Sequence, residues 1–338
     1  MDFRSDNTAA IAPALFAAMA AANQGTAVGY GGDDLSARLD GAFGEFFEAD
    51  VKVFPVSTGT AANGLALAHI CPPWGRIIAH REAHIERDEC GATGFFSGAQ
   101  LDLLAGDHAK LSSDTLAAHL AAHAPGVHSA PPRALSLTQA TERGTVYTPG
   151  ELRALTDLAH DAGLNVHMDG ARFANAVVAL GCTPADVSWR AGVDVLCLGA
   201  TKSGGYACEA VVFFDPAMAE DFAYRRKRAG QSGCKSRFAA AQWLAWLDPA
   251  VWREHAAQAN ACAQIIAQAA QPLLTAPAQT NQLFLKLGDA QKARLRAQGF
   301  AFYDWGRAGS GEARLVTSWQ TTSDEAEQAA TALRRLFD

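Results

Sequence analysis

The sequence contains no Cys-x-x-Cys pair, no Gly-Lys-Ser/Thr phosphate loop, no Gly-x-Gly-x-x-Gly turn in a strand-to-helix context and no excess of positive charge. Its seven cysteines, at 71, 90, 182, 197, 208, 234 and 262, are scattered among mostly apolar neighbours. That argues for reduced core thiols in a cytoplasmic protein and against a disulfide framework or a zinc site. Lys and Arg number 28 against 35 Asp and Glu, a formal charge of −7, so no basic field is available for nucleic acid or an anionic membrane. The basic run Arg225-Arg226-Lys227-Arg228 reads as a solvated helix face or a subunit contact. Long hydrophobic runs are also missing. The apolar stretch 11–22 is too short to span a bilayer, and Asp2 and Asp6 outweigh Arg4 ahead of it, the wrong flank for a signal peptide. A buried, alanine-rich first helix is expected there.

What remains is a globular composition: 338 residues, 49% apolar and 19% charged, with 30 Gly and 13 Pro. Seven short apolar runs of β type, at 52–56, 76–79, 100–104, 134–139, 164–168, 193–198 and 211–214, alternate with Ala/Leu-rich helical stretches. Such alternation requires crossover connections, and so predicts an α/β fold with one mainly parallel seven-stranded sheet covered on both faces. After Pro216 the texture changes to long helical stretches at 218–228, 237–246 and 251–270. Two further short runs, at 282–287 and 313–318, each precede a helix, the last expected over 323–337. The division expected is a large unit over 1–247 and a small α+β unit over 248–338.

Three segments carry chemistry. Ser57-Thr58-Gly59-Thr60-Ala61-Ala62-Asn63 follows a strand and opens a helix, where free N–H groups favour an anion and glycine permits close approach. Simple capping by threonine accounts for this segment equally well. In His167-Met168-Asp169-Gly170-Ala171-Arg172 a carboxylate stands at a strand's C-terminal end, where α/β ligands bind and where it can pair with a cationic ring nitrogen; the alternative is a helix cap. His167 and Asp169 have no evident third ligand, so no metal site is expected. In Gly199-Ala200-Thr201-Lys202-Ser203-Gly204-Gly205 a lysine stands in a tight turn after a buried strand; desolvation makes its amine a nucleophile able to form a Schiff base with an aldehyde. Together the three match the demands of pyridoxal 5′-phosphate: a loop including Gly59 and Thr60 for the phosphate, Asp169 for the pyridine nitrogen and Lys202 for the carbonyl.

At these positions the chain resembles the low-specificity L-threonine aldolases. The resemblance is carried by Phe3-Arg4-Ser5-Asp6-Asn7, Thr58-Gly59-Thr60-Ala61-Ala62-Asn63, Glu82-Ala83-His84-Ile85, His167-Met168-Asp169-Gly170-Ala171-Arg172-Phe173 and Thr201-Lys202, in order, and extends to Trp319. It implies fold type I (aspartate aminotransferase-like), retro-aldol cleavage of L-threonine, L-allo-threonine and related β-hydroxy-α-amino acids to glycine and an aldehyde, and a homotetramer, a dimer of dimers with shared sites. By the same resemblance His84 stacks on the cofactor ring near the substrate hydroxyl, with His128 a second histidine close to it. Arg172 and Arg314 grip the substrate carboxylate, with Ser5 as a further contact. Other readings of the same cofactor chemistry are a β-eliminating lyase, an aminotransferase or a non-catalytic vitamer-binding protein. The sequence departs from the family at Tyr30-Gly31-Gly32-Asp33, which loses a carboxylate, at Thr138-Gln139-Ala140-Thr141-Glu142 and at Ser203-Gly204-Gly205-Tyr206. An arginine that relatives place on a neighbour's phosphate has no clear counterpart, although Lys235 and Arg237 lie nearby.

Overall fold

The computed structural model describes residues 1–123, 126–307 and 309–336 and arranges them around two sheets. The larger has the order β1-β7-β6-β5-β4-β2-β3, with β1 Lys52–Val56, β2 Arg76–His80, β3 Gln100–Leu104, β4 Pro132–Thr138, β5 Asn165–Gly170, β6 Val195–Gly199 and β7 Glu209–Phe213. From β3 to β6 all neighbours are parallel, whereas β7 runs antiparallel to both β6 and β1. The smaller sheet, β8 Gln282–Lys286, β9 Tyr303–Trp305 and β10 Glu312–Val316, is antiparallel in the order β8-β10-β9.

Side-chain alternation explains how the large sheet is buried on both faces. Leu135, Met168, Leu196 and Val212 point into one core with Trp243, Trp246 and Phe173. Their strand neighbours Ala134, Val195, Cys197 and Val211 point into the other, against Leu65, Ala66 and Phe222. Truncating Trp243 or Trp246, both fully buried, costs roughly 3–5 kcal/mol. A third core joins Leu283, Leu285 and Leu315 of the small sheet to Ile266, Ala329 and Leu333. Phe3 belongs to this core although it lies at the other end of the sequence. Its N–H donates to Ala301 O at 2.8 Å and its carbonyl accepts from Val316 N at 2.8 Å, so the N-terminal segment is stitched across the small sheet.

Most expected elements stand within a few residues of their positions, and the differences have local causes. The first helix, Pro13–Ala22, has only Leu15 buried, and Phe16 is 62% exposed. Alanine on every side of the helix leaves it no apolar stripe to bury. The expected single helix over 218–228 is broken: Asp215 caps a short turn at Pro216–Ala219, and Asp221, at φ +64°, precedes a new helix at Phe222–Arg228. Strand β9 and the helices Asp34–Ala37 and Leu39–Phe47 were not expected. The closing helix runs Ser323–Arg334, and its expected end at Phe337 lies outside the described residues.

The register sets the functional edge of the large sheet. Thr138 pairs with Asp169 and Asp169 with Cys197. Because β7 is reversed, its first residue, Glu209, lies beside both Gly199 and Val56. The loops after β1, β5 and β6 therefore open at one edge.

Candidate active site

Thr58 starts the helix Gly59–Ile70 by accepting a hydrogen bond from Ala61 N on its Oγ1 at 3.1 Å. That leaves the first N–H groups, of Gly59 and Thr60, open toward the edge, as helix starts require. A Cβ at Gly199 would stand 2.8 Å from Glu209 Oε2, so that glycine permits a close approach to the carboxyl, whereas one at Gly59 would stand 3.9 Å from the same oxygen, in ordinary contact.

Asp169 stands next to the end of β5, only 5% exposed. Its Oδ1 accepts from Ala171 N at 3.0 Å and its Oδ2 from Asn63 Nδ2 at 2.8 Å. Burial alone would raise its pKa. The charges of His84 and Lys202 and the two hydrogen bonds outweigh burial and hold the carboxyl below its usual range. Asn63 also donates to Glu89 Oε1 at 2.8 Å, and the same oxygen meets His84 Nδ1 at 2.7 Å. A chain therefore runs His84–Glu89–Asn63–Asp169. It fixes the imidazole by Nδ1 and leaves Nε2 facing outward, 4.0 Å from Asp88 Oδ2. The bond to Glu89 raises the pKa of His84, against the effect of burial.

Lys202 sits in the tight turn Thr201–Ser203 after β6. Gly204 ends that turn at φ +108°, and a Cβ there would collide with Ala12. Burial, then the nearby charge of Arg172, push the Lys202 amine down, while Asp6, Asp169 and Glu209 pull it back.

On the opposite wall Arg172 turns a bidentate edge to Asp6, with Nε to Oδ2 at 2.7 Å and Nη2 to Oδ1 at 2.8 Å. Asp6 also accepts from Asn281 Nδ2 at 2.9 Å. Ser5 is buried beside it, its Oγ 3.4 Å from Asp6 Oδ1. Arg314, on β10, lies flat against Trp305 (4.3 Å to the ring centre) and near Tyr303 (5.7 Å). Among the described residues its one side-chain hydrogen bond is from Nη2 to Arg4 O at 3.3 Å, and its buried Nε has no partner. Burial and the neighbouring Arg172 press its pKa down to about 10. Two guanidiniums side by side, one without a carboxylate, form a seat for an anion.

The structure therefore brings Gly59, Thr60, His84, Asp169, Arg172, Lys202, Ser5 and Arg314 to one region at this sheet edge. It does not bring His128. That residue is exposed in a turn before β4, at the strand's N-terminal end, whereas this region lies at the C-terminal end. The length of β4 alone separates them by roughly 20 Å, because parallel strands deliver their leading and trailing loops to opposite edges. His167 is likewise withdrawn, enclosed by Ser136 Oγ at 3.0 Å and Cys197 Sγ at 3.3 Å, and burial pushes its pKa down to about 4.

Three carboxyls escaped sequence reasoning. Glu89 lies one turn beyond His84, a spacing that could have signalled it. Glu142 stands in the stretch already noted as divergent; its Oε1 accepts from His84 N at 2.8 Å and Thr138 Oγ1 at 2.9 Å. Its Oε2 is buried without a partner among the described residues, and burial together with Asp169 pushes its pKa up to about 7. Glu209 is 7% exposed, and burial pushes it up to about 7 as well, although a hydrogen bond from the Thr201 hydroxyl and then the charge of Lys202 pull the other way.

Residues 2–290 match the family model described as Beta-eliminating lyase. A low-specificity L-threonine aldolase of Pseudomonas aeruginosa is 44% identical over 98% of this chain and 96% of its own length. Among solved structures, a threonine aldolase of Leishmania major superposes with a TM-score of 0.93 at 28% identity, covering 100% of this chain and 99% of that one. An aspartate aminotransferase of Rhodobacter sphaeroides shares the fold at a TM-score of 0.74 and 18% identity, covering 99% and 92%. The architecture is fold type I, with a seven-stranded mainly parallel sheet and a small antiparallel one.

Proposed function

Since this chain belongs to the low-specificity L-threonine aldolases, within the β-eliminating lyase family, we propose that it splits L-threonine and L-allo-threonine into glycine and acetaldehyde with pyridoxal 5′-phosphate. The observation that carries the reading is the meeting of Lys202 and Asp169 at one sheet edge, close enough for each charge to shift the other's titration. The residues fit the cofactor. Gly59 and Thr60 offer open N–H groups for its phosphate, Asp169 is a buried carboxylate with no direct ion pair among the described residues, and Lys202 is an amine in which burial disfavours the charged form. When bound, the cofactor supplies an electron sink for the pair released at Cα as the Cα–Cβ bond breaks.

The rest is done by the chain's own side chains. Arg314 takes the substrate carboxylate on its planar fork, held flat by Trp305, and the Ser5 hydroxyl adds a contact. Arg172, fixed by Asp6, adds positive charge to the same wall rather than a free fork. Holding the carboxylate orients the Cα–Cβ bond, an effect that contributes several kcal/mol in well-aligned reactions, up to ~7–11. His84 Nε2 receives the β-hydroxyl proton while Glu89 keeps the ring in place through Nδ1.

The same membership supports a homotetramer built as a dimer of dimers with shared sites, and exposed Phe16, Tyr30 and Tyr206 offer apolar surface for it. A cytoplasmic location is supported by seven unpaired cysteines, and no described helix is long and apolar enough to cross a membrane. We further infer units over 1–247 and 248–338, the second keeping Phe3 in its core.

The test is direct. Purified protein given L-threonine, L-allo-threonine or L-serine is assayed for glycine, acetaldehyde, formaldehyde and pyruvate. Acetaldehyde with equimolar glycine is expected, and borohydride reduction followed by peptide mapping should tag Lys202. Pyruvate in place of aldehyde, or a tag elsewhere, would overturn the reading.

A further inference from the structure

Glu209 has no part in the scheme above, yet the fold places it between the loop that would hold the cofactor's phosphate and the turn that carries Lys202. It is the first residue of β7, the strand that runs against both its neighbours. Reversal brings this N-terminal residue to the sheet edge where the neighbouring strands finish. Its partners in register are Val56, just ahead of the Gly59 loop, and Gly199, just ahead of Lys202. Its Oε2 fills the room that a Cβ at Gly199 would need, 2.8 Å away, and lies 3.9 Å from where a Cβ of Gly59 would stand.

We propose that Glu209 is a proton-coupled occupant of the phosphate cradle: its carboxylate is the anion beside the open helix start in the free enzyme, and it takes a proton from solvent when the cofactor's phosphate dianion enters. This rests on the pyridoxal phosphate reading. Two anions sharing a dry pocket at the same helix start repel one another, and neutralising the weaker acid is the least costly relief. The charged and titratable groups facing Glu209 are Lys202 in the adjoining turn, Asp169 on β5, and the thiols of Cys197 on β6 and Cys208 beside it. Among these groups Lys202 is the cation, and the Thr201 hydroxyl adds a hydrogen bond that also favours the charged carboxyl; against them the entering phosphate brings up to two negative charges. The proton balance therefore favours a neutral carboxyl in the loaded state. The position of Glu209 near neutrality, pushed up to about 7, puts the exchange in an accessible pH range.

The probe is pyridoxal 5′-phosphate itself, added to cofactor-stripped wild-type protein and Glu209→Gln, with binding read by absorbance and by calorimetry. The ratio of wild-type to variant Kd should rise about tenfold per pH unit above ~7, the slope of one linked proton. Calorimetry of the wild type in buffers of different ionisation enthalpy should show nearly one more proton taken up at pH 8 than at pH 6 after subtraction of the proton that the phosphate itself, with a second pKa of about 6, gives up at the lower pH. That measurement needs no variant, so a Glu209→Gln protein that failed to fold would leave the proposal open to refutation. A pH-independent ratio, or a difference in proton uptake no larger than the phosphate's own ionisation supplies, would overturn the role of Glu209 alone. Absence of any binding at every pH would instead overturn the cofactor reading, and this inference with it.

Discussion

Arg314 carries its charge in a poor environment: burial and Arg172 both work against it, its Nε has no partner among the described residues, and its guanidinium lies against the ring of Trp305. A substrate carboxylate relieves all of this at once, so Arg314→Ala should raise KM for L-threonine about 10- to 100-fold, the loss of one charge-assisted contact of ~1.5–3 kcal/mol. Steady-state kinetics check it, and an unchanged KM would move the carboxylate elsewhere. His84 sets the pH behaviour. As a base it works neutral, and the Glu89 hydrogen bond raises its pKa, so kcat/KM should fall as pH drops through a value above the free-histidine ~6.5. Glu89→Gln weakens that hold on the proton and should shift the acid limb to lower pH. A limb that stays put would exclude His84 as the base.

At the scale of elements, the short turn His84–Arg87 is tied down by Glu142 through the His84 N–H. Glu142→Gln keeps an acceptor there, whereas Glu142→Ala leaves a buried N–H without a partner, at a cost of about 1–3 kcal/mol. The expectation is a kcat loss of tenfold or more for the alanine variant and within about threefold for glutamine at pH 6, with thermal melts showing that both fold. The strands were legible because β-branched runs buried on both faces have few alternatives, and Asp169 and Lys202 were legible because each follows such a run. The reversed direction of β7 was not, since a short apolar run reads the same either way, and so the placement of Glu209 was hidden. His128 was misplaced for a related reason: nearness to a strand in sequence does not say which of its ends faces the site. Glu142 was seen only as a departure from relatives, because the hydrogen bonds that give it meaning come from segments far apart in the chain.

Across the whole molecule, Asp6 joins three distant parts: its own N-terminal segment, Arg172 after β5, and Asn281 before β8. Burial works against its charge, yet the Arg172 and Lys202 charges and the Arg172 and Asn281 hydrogen bonds hold its pKa below the usual carboxylate value. A depressed folded-state pKa stabilises the fold above the ordinary Asp range, near pH 4, and that stability is lost as pH falls further toward the folded value. Asp6→Asn should therefore cost roughly 3–5 kcal/mol at pH 7 by stranding a buried guanidinium. The variant's melting temperature should then change less than the wild type's on acidification below pH 4. Equal acid slopes would show that the pair contributes nothing.

The stitching of Phe3 and Asp6 to segments near the far end of the chain bears on synthesis. Arg314 is separated from Arg4, whose carbonyl it contacts, by 310 positions, and Asn281 from Asp6 by 275. On the ribosome, Lys202 and Asp169 emerge well before either of these later partners. A translation product truncated before β10 would carry Lys202 and Asp169 without Arg314, and so without the guanidinium that faces the substrate carboxylate.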